Sequence, residues 1–175
     1  VQGEVFDYPE EFFKERIHTI RRPKPDDFQI KEAAELIKKS KKPIIIAGGG
    51  VFYSDATDEL SSFASKHNIP VTQTVMGYSS IKKDHSHYLG TIGGLGGKAA
   101  NNLSKETDTA IAVGTKLADF TTGSWANFEN PKFKLVSINA ARFDANKHMA
   151  QAVIGDAKVT LMELSQALGN WKAED

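Results

Sequence analysis

The sequence predicts an α/β fold built on a parallel six-stranded sheet, and three observations carry that prediction. Short apolar runs recur along the chain, the sharpest being Pro43-Ile44-Ile45-Ile46-Ala47 and Thr109-Ala110-Ile111-Ala112-Val113. Runs without polar alternation are what strands buried on both faces look like. Several of these runs end at glycine, and segments with apolar residues at helical spacing lie between most of them. Strands alternating with helices imply parallel βαβ units with right-handed crossovers.

Residues 1–25 stand apart. No clean period runs through Val1 to Pro9, and Arg21-Arg22-Pro23-Lys24-Pro25 is basic with restricted φ. We read 1–25 as an interdomain linker that lies over a neighbouring surface. The chain opens on valine, so a segment of a longer protein is expected. Residues 26–170 read as one domain, and 171–175 as the start of a second linker.

Within the domain the elements follow in order. Asp26 or Asp27 can cap a helix whose stripe is Ile30, Ala33, Ala34 and Ile37, with lysines after it facing the negative end of the helix dipole. The first strand covers 43–47 and ends in Gly48-Gly49-Gly50. Ser54 is the expected cap of a second helix lined by Leu60, Phe63 and Ala64, ending near His67-Asn68. Strands are expected at 69–74 and near Tyr88-Leu89, then a glycine-rich loop from Gly90 to Gly97 and a helix over 98–105. Three further strands are expected at 109–113, 133–138 and 152–154, ending in Gly114-Thr115, Asn139 and Gly155-Asp156. Asp156 caps a last helix carrying Val159, Leu161, Leu164 and Leu168, which Gly169 stops. The sum is a Rossmann-like three-layer α/β/α sandwich.

Composition narrows the function classes. At 175 residues the chain can bury roughly 70% of its unfolded surface as one domain. Twenty-two basic residues balance 22 acidic ones, so no global field favours nucleic acid or an anionic membrane. The absence of cysteine excludes disulfides, thiolate metal sites and cysteine nucleophiles, and fits the cytoplasm. The longest apolar stretch is glycine-broken and too short for a membrane span, and no secretory signal precedes it.

The motifs divide into ligand-like and structural readings. Gly48-Gly49-Gly50 before a helix could cradle a diphosphate, but Tyr53 breaks the G-x-G-x-x-G pattern, and a tight turn is the favoured account of the glycines. Gly93-Gly94-Leu95-Gly96-Gly97-Lys98 fails as a P-loop, because Ile92 stands at the first glycine position and Ala99 where a magnesium-binding hydroxyl is needed. His85 and His87 lack the third and fourth ligands of a metal site and read as a solvated turn. His18, His67 and His148 read as surface or helix-end residues. Asp119, Thr121, Thr122 and Ser124 follow the fourth strand, at the edge where open parallel sheets bind ligands. Trp125 and Phe128 beside them could stack a base, anchor another domain or fill the core.

In fixed order, these junctions resemble the central domain of thiamine-diphosphate-dependent enzymes such as acetohydroxyacid synthase and pyruvate oxidase. The motifs are 42–51, 70–77, 85–90 running into the Gly93–Gly97 loop, 107–115 and Gly155-Asp156-Ala157. The loops 117–124 and 139–144, with Tyr8–Phe13 and Arg21–Pro23, are most similar to the branch that hydrolyses a C–C bond of a cyclic dione in myo-inositol catabolism. The resemblance implies a parent of three domains, a dimer or tetramer in the cytoplasm. Thiamine diphosphate and Mg²⁺ would be held between the two flanking domains, which bind the pyrimidine and the diphosphate. The family's catalytic glutamate and its G-D-G…N metal motif are not in this chain, where alanine follows Gly155-Asp156. No catalytic residue and no metal ligand is therefore assigned here. Some members bind FAD in this domain, and the matching positions would be Gly49, Gly50, Thr74, Met76, Gly94, Gly96, Thr115, Asn139 and Asp156. An arginine of the flavin pattern is missing near Lys116-Leu117, and Asn139 replaces an acidic residue, so FAD is not the expected ligand. The alternative function is a nucleotide-binding module that uses FAD or NAD directly.

Overall fold

The computed structural model describes residues 3–174. Val1, Gln2 and Asp175 of the predicted linkers lie outside the described residues. Six strands form one all-parallel sheet: β1 (Pro43–Ala47), β2 (Val71–Gln73), β3 (Tyr88–Thr91), β4 (Thr109–Val113), β5 (Lys134–Asn139) and β6 (Gln151–Ile154). Their order across the sheet is β3-β2-β1-β4-β5-β6. The chain therefore reverses direction of winding between β1 and β4.

Alternate residues of each strand feed two separate cores. Ile45, Ala47, Val71, Ile111, Val113, Val136, Ile138 and Val153 face the helices α1 (Asp27–Lys38), α3 (Thr57–His67) and α7 (Ala157–Leu168). Ile44, Ile46, Ala110, Ala112 and Leu135 face the other way, onto Leu103 of α4 (Lys98–Glu106) and the Trp125, Phe128 and Phe133 rings. Core packing is thus the use made of Trp125 and Phe128. At about 25 cal/mol per Å² of buried apolar area, the fully buried Ile44, Ile45 and Ile46 each contribute a few kcal/mol.

The caps at Asp26 and Asp156 form as the sequence predicts. Each carboxylate accepts from two backbone N–H groups of its helix, Phe28 and Gln29 in one case, Lys158 and Val159 in the other. Ser54 does not cap the second helix. The glycines themselves open a short helix, α2 (Gly49–Tyr53), which Ser54 closes, and α3 starts separately after Ala56. Two further short helices, α5 (Asp119–Thr122) and α6 (Arg142–Ala145), carry too few turns for an apolar period to announce them. β2 is shorter than predicted, and β5 and β6 are displaced or lengthened by one residue. The exposed edge of β6 is shielded by α1, whose Gln29 side chain accepts from the Ile154 N–H at 2.9 Å.

Every described residue from Gly3 to Lys24 is exposed, and one turn of 3-10 helix forms at Glu10–Phe13. The other end behaves differently. Ala173 is buried, its N–H donates to the His67 carbonyl, and His67 Nδ1 lies 2.7 Å from the Trp171 carbonyl. His67 is therefore a helix-end residue, as one of the two readings expects, but it is fully buried because the tail folds across the end of α3. His148 is exposed, as the sequence reading expects, with its ring tilted against Trp125 at 4.4 Å between centroids.

Candidate functional site

The switch between β1 and β4 opens at the carboxyl ends of the strands, where open parallel sheets bind ligands. The nine positions matched to the flavin pattern gather along this edge. Gly49 and Gly50 form the first turn of α2, and Thr74 and Met76 follow β2. Gly94 and Gly96 lie in the loop after β3, while Thr115, Asn139 and Asp156 follow β4, β5 and β6.

The loops after β1 and β4 touch backbone to backbone. A Cβ on Gly48 would strike the Gly114 carbonyl and Thr115, and one on Gly50 would lie 2.6 Å from the Gly114 Cα. Gly114 itself has φ +61° and would meet the Gly50 Cα at 2.6 Å. Their amides are paired as well: Gly48 N–H donates to the Val113 carbonyl at 2.8 Å and Gly50 N–H to Gly114 at 2.9 Å. Gly77 is pressed onto Ala47 from the β2 side. These glycines are required by close approach of three loops, and two of the amides a phosphate would seek already have partners.

The polar side chains are engaged in the same way. Thr74 Oγ1 accepts from Gly77 N–H at 3.0 Å, and Thr115 Oγ1 accepts from Leu117 N–H at 3.2 Å. The Asn139 amide donates to the Thr115 carbonyl at 3.3 Å while its Oδ1 accepts from Ala141 N–H at 2.9 Å. In the second glycine loop, Asn101 clasps Gly93 through both its carbonyl and its N–H, at 2.9 and 3.1 Å. Gly94 and Gly96 donate to the Phe120 and Gly93 carbonyls. Met76 is 76% exposed and belongs to an apolar rim with Phe52, Tyr53 and Tyr78.

Asp156 is held most firmly. Besides capping α7 it receives the Arg22 guanidinium at 3.2 Å, and its own N–H donates to the Pro23 carbonyl at 2.8 Å. Arg22 also donates to the Ser54 carbonyl. The segment 22–25 is thereby fastened at the carboxyl edge, across the ends of α2 and β6. Sequence reasoning missed Arg22, Asn101 and the buried Gln73, whose Oε1 has no partner among the described residues while its amide donates to the Tyr88 hydroxyl. A charged residue directly before Pro23-Lys24-Pro25 was the available signal for Arg22, and nothing local marked its partner 134 residues away.

Catalytic pairings do not assemble here. Ser65 Oγ lies 3.1 Å from His85 Nε2, but His85 Nδ1 accepts the His87 N–H at 3.2 Å. The ring proton therefore sits on Nε2 and points at the serine, the wrong tautomer for a general base. Burial pushes the His87 pKa below its ordinary value, and the neighbouring His85 adds to that. Thr122 is buried, and its hydroxyl accepts from Trp125 N–H, while Asp119 and Ser124 stay exposed. No three His, Asp or Glu side chains converge to hold a metal ion among the described residues. No helix there is long and apolar enough to cross a membrane.

The family model for the central domain of thiamine pyrophosphate enzymes matches residues 30–164. The chain belongs to this family. Among curated proteins, this central domain is 47% identical over 168 residues to the 3D-(3,5/4)-trihydroxycyclohexane-1,2-dione hydrolase of Clostridium perfringens strain 13, covering 96% of this chain and 26% of that protein. The proteins of the same name from Clostridium botulinum strain Alaska E43 and, numbered 1, from Bacillus cereus strain ZK are 48% and 45% identical over the same shares. The chain thus spans about a quarter of the length of these relatives. Benzoylformate decarboxylase from Polynucleobacter necessarius superposes with a TM-score of 0.68 at 19% identity, covering 95% of this chain and 32% of that one. A Mycobacterium smegmatis protein described as thiamin diphosphate-dependent gives 0.70 at 20%, covering 89% and 30%. These two likenesses concern the fold alone.

Proposed function

We propose that this central domain belongs to a trihydroxycyclohexane-1,2-dione hydrolase, an enzyme that opens a cyclic dione by C–C bond hydrolysis in inositol catabolism. The observation that carries the reading is identity near 47% across almost the whole chain with proteins of that name. In the parent, thiamine diphosphate and Mg²⁺ belong to flanking domains outside this chain. The residues here do not fit that group, since no acidic or histidine cluster converges among those described. The parent is a cytoplasmic homo-oligomer in this reading, and 1–25 and 171–175 are its linkers.

The domain's own role is structural. The closed contact of Gly48 and Gly50 with Gly114, and the engagement of Asp156 by Arg22, favour a solid joint over a flavin cradle at Gly49, Gly50, Thr74, Met76, Gly94, Gly96, Thr115, Asn139 and Asp156. The test uses the intact protein from the unbroken reading frame, supplied with thiamine diphosphate and Mg²⁺. Ring opening of the dione to 5-deoxy-glucuronate is expected, and a protein that turns over only other 2-oxo compounds would sink the assignment. FAD titrated into the 175-residue chain is expected to give no saturable signal; binding at roughly micromolar concentration would favour the nucleotide-module reading instead.

A further inference from the structure

The amino-terminal edge of the sheet, opposite the glycine loops, opens into two neighbouring hollows. The wider, about 720 Å³, sets Lys31, Lys39, Lys41, Lys132 and Lys134 against three carboxylates, and its mixed charges select no ligand. The second, about 580 Å³, lies where β1, β2 and β3 begin and shares Lys41 with the first. Pro43, Pro70, Leu89 and Leu103 give it apolar walls. Its polar lining includes a connected set, Ser86, His87 and Asn68.

The hydrogen bonds among these three fix where each proton sits. Asn68 lies just past α3, and its Nδ2 donates to the Ala173 carbonyl at 3.2 Å. A carbonyl only accepts, so the Asn68 oxygen is the atom turned to His87, 3.1 Å from Nε2. Nε2 therefore carries the ring proton and donates it to Asn68 Oδ1. Nδ1 is left bare, and the Ser86 hydroxyl donates to it at 3.0 Å. The His87 main chain is pinned on both sides: its N–H donates to His85 Nδ1 at 3.2 Å, and its carbonyl accepts from Val71 N–H at 2.8 Å. This is the opposite of Ser65 and His85, where the ring proton points at the serine.

A hydroxyl donating to a bare imidazole nitrogen, with the other ring nitrogen held by an amide oxygen, is the arrangement that activates a serine. Two further features support it. Burial and the neighbouring His85 lower the His87 pKa, so the ring is largely neutral at pH 7. The Ser86 N–H has no partner among the described residues, which leaves a donor beside the hydroxyl for a developing oxyanion.

We propose that Ser86 is an acyl-accepting nucleophile with His87 as its base, Asn68 positioning that base, and the adjoining cavity taking esters of small apolar acids. Ser86 Oγ adds to the ester carbonyl carbon while its proton passes to His87 Nδ1. The C–O bond to the alcohol then breaks, and His87 gives the proton to the departing oxygen. Water, deprotonated by the same nitrogen, cleaves the acyl-Ser86 ester and restores the serine, so ester and water become acid and alcohol. Proline and leucine walls offer no hydrogen bond to a polar acyl chain, and a cavity of 580 Å³ has room for a small ligand. This chemistry needs no thiamine group and is separate from ring opening by the parent.

The test treats the 175-residue chain with p-nitrophenyl butyrate, followed by release of p-nitrophenol, and with an alkyl fluorophosphonate, followed by peptide mass spectrometry. Phosphonylation with loss of fluoride is expected on Ser86. Its rate should rise with pH to a plateau, through a midpoint below about 6.5. The other titratable groups around His87 are His85, whose ring lies 5.6 Å away, and Lys41, Lys42 and Glu174 of the cavity wall. S86A is expected to abolish the label, and H87Q to slow both reactions roughly tenfold or more, with unchanged circular dichroism. S65A, beside the mismatched pair, should leave both rates as in wild type. N68G keeps the left-handed turn at the end of α3, where φ is 53°, while removing the amide. Its labelling should slow several-fold, and the ring nitrogen NMR shifts of His87 should pass from the Nε2–H form to a mixture of tautomers. Label confined to lysines or to His85, rates unchanged in S86A, or a bare Nε2 in the wild-type ring spectrum overturns the proposal.

Discussion

The two edges of the sheet differ in how their polar groups are used. At the carboxyl edge, where the sequence carries its most conspicuous motifs, loops after β1, β2 and β4 press against one another and donate to one another. At the amino edge no motif stands out, yet five lysines without an ion pair among the described residues outnumber the three carboxylates of a shared groove. Glycine density marks where the backbone must come close, and the approaching partner can be another loop as readily as a phosphate. Unpaired charge over apolar lining is the better pointer to a surface that awaits something.

The sharpest way to break this comparison is Gly114→Ala. A Cβ there meets the Gly50 backbone at 2.6 Å and must also adopt φ +61°, so both sterics and conformation oppose it. A loss of about 3 kcal/mol or more is expected in urea unfolding, a fall in Tm of roughly 6–12 °C for a domain of this size. Gly97→Ala is the control: nothing lies within 4 Å of its Cβ and its φ is −72°, so stability should stay within about 0.5 kcal/mol. If Gly114→Ala were as mild as Gly97→Ala, the carboxyl-edge loops would have room to part, and a ligand cradle would again be the better account.

How far the sequence foretold the two edges follows from the range of the interactions. Strands, the Asp26 and Asp156 caps and the Asn68 helix end, which takes φ +53°, depend on neighbours within a few residues, and the sequence displays them. The candidate site residues were brought to one edge because parallel strands all end there. Whether those residues would face a ligand or each other depends on contacts such as Gly50 with Gly114, which no local pattern encodes. The same holds for Ser54, displaced as a cap because two glycines before it already began a helix, and for His67. Its burial comes from Trp171 and Ser165, about a hundred residues away.

His67 offers an intermediate test at the amino edge. Its Nδ1–H donates to the Trp171 carbonyl, so Nε2 is the acceptor facing the Ser165 hydroxyl at 3.0 Å. Lys66 also donates to that hydroxyl, at 3.0 Å. Burial lowers the His67 pKa against the opposing pull of the Trp171 carbonyl, and Lys66 and Lys172 lower it further. The unfolded chain therefore takes up this proton at a higher pH than the folded one. Stability contributed by neutral His67 is complete above the unfolded value near 6.5 and declines as pH falls toward the lower folded value. Urea midpoints measured from pH 7.5 to 5 should fall, and His67→Ala, though less stable throughout, should show a flatter profile. An unchanged slope in the variant would place the acid sensitivity elsewhere.

The smallest effect belongs to the joint that fastens the N-terminal segment. Arg22 reaches Asp156 and the Ser54 carbonyl, but its side chain is 34% exposed, so solvent screens the pair and the cap on α7 survives its loss. Arg22→Ala is expected to cost no more than about 1 kcal/mol in global unfolding, whereas Asp156→Ala also removes a buried helix cap and should cost about 1–2 kcal/mol. The informative readout is local. Limited proteolysis should cut Arg22→Ala faster than wild type between residues 14 and 24, with the domain itself left whole. Equal cleavage rates would show that Pro23 and Pro25, through the Asp156 amide and the Gly155 contact, hold this segment without the ion pair. In that case the carboxyl edge would be fastened by backbone shape alone, and the contrast with the lysine-rimmed edge would be stronger still.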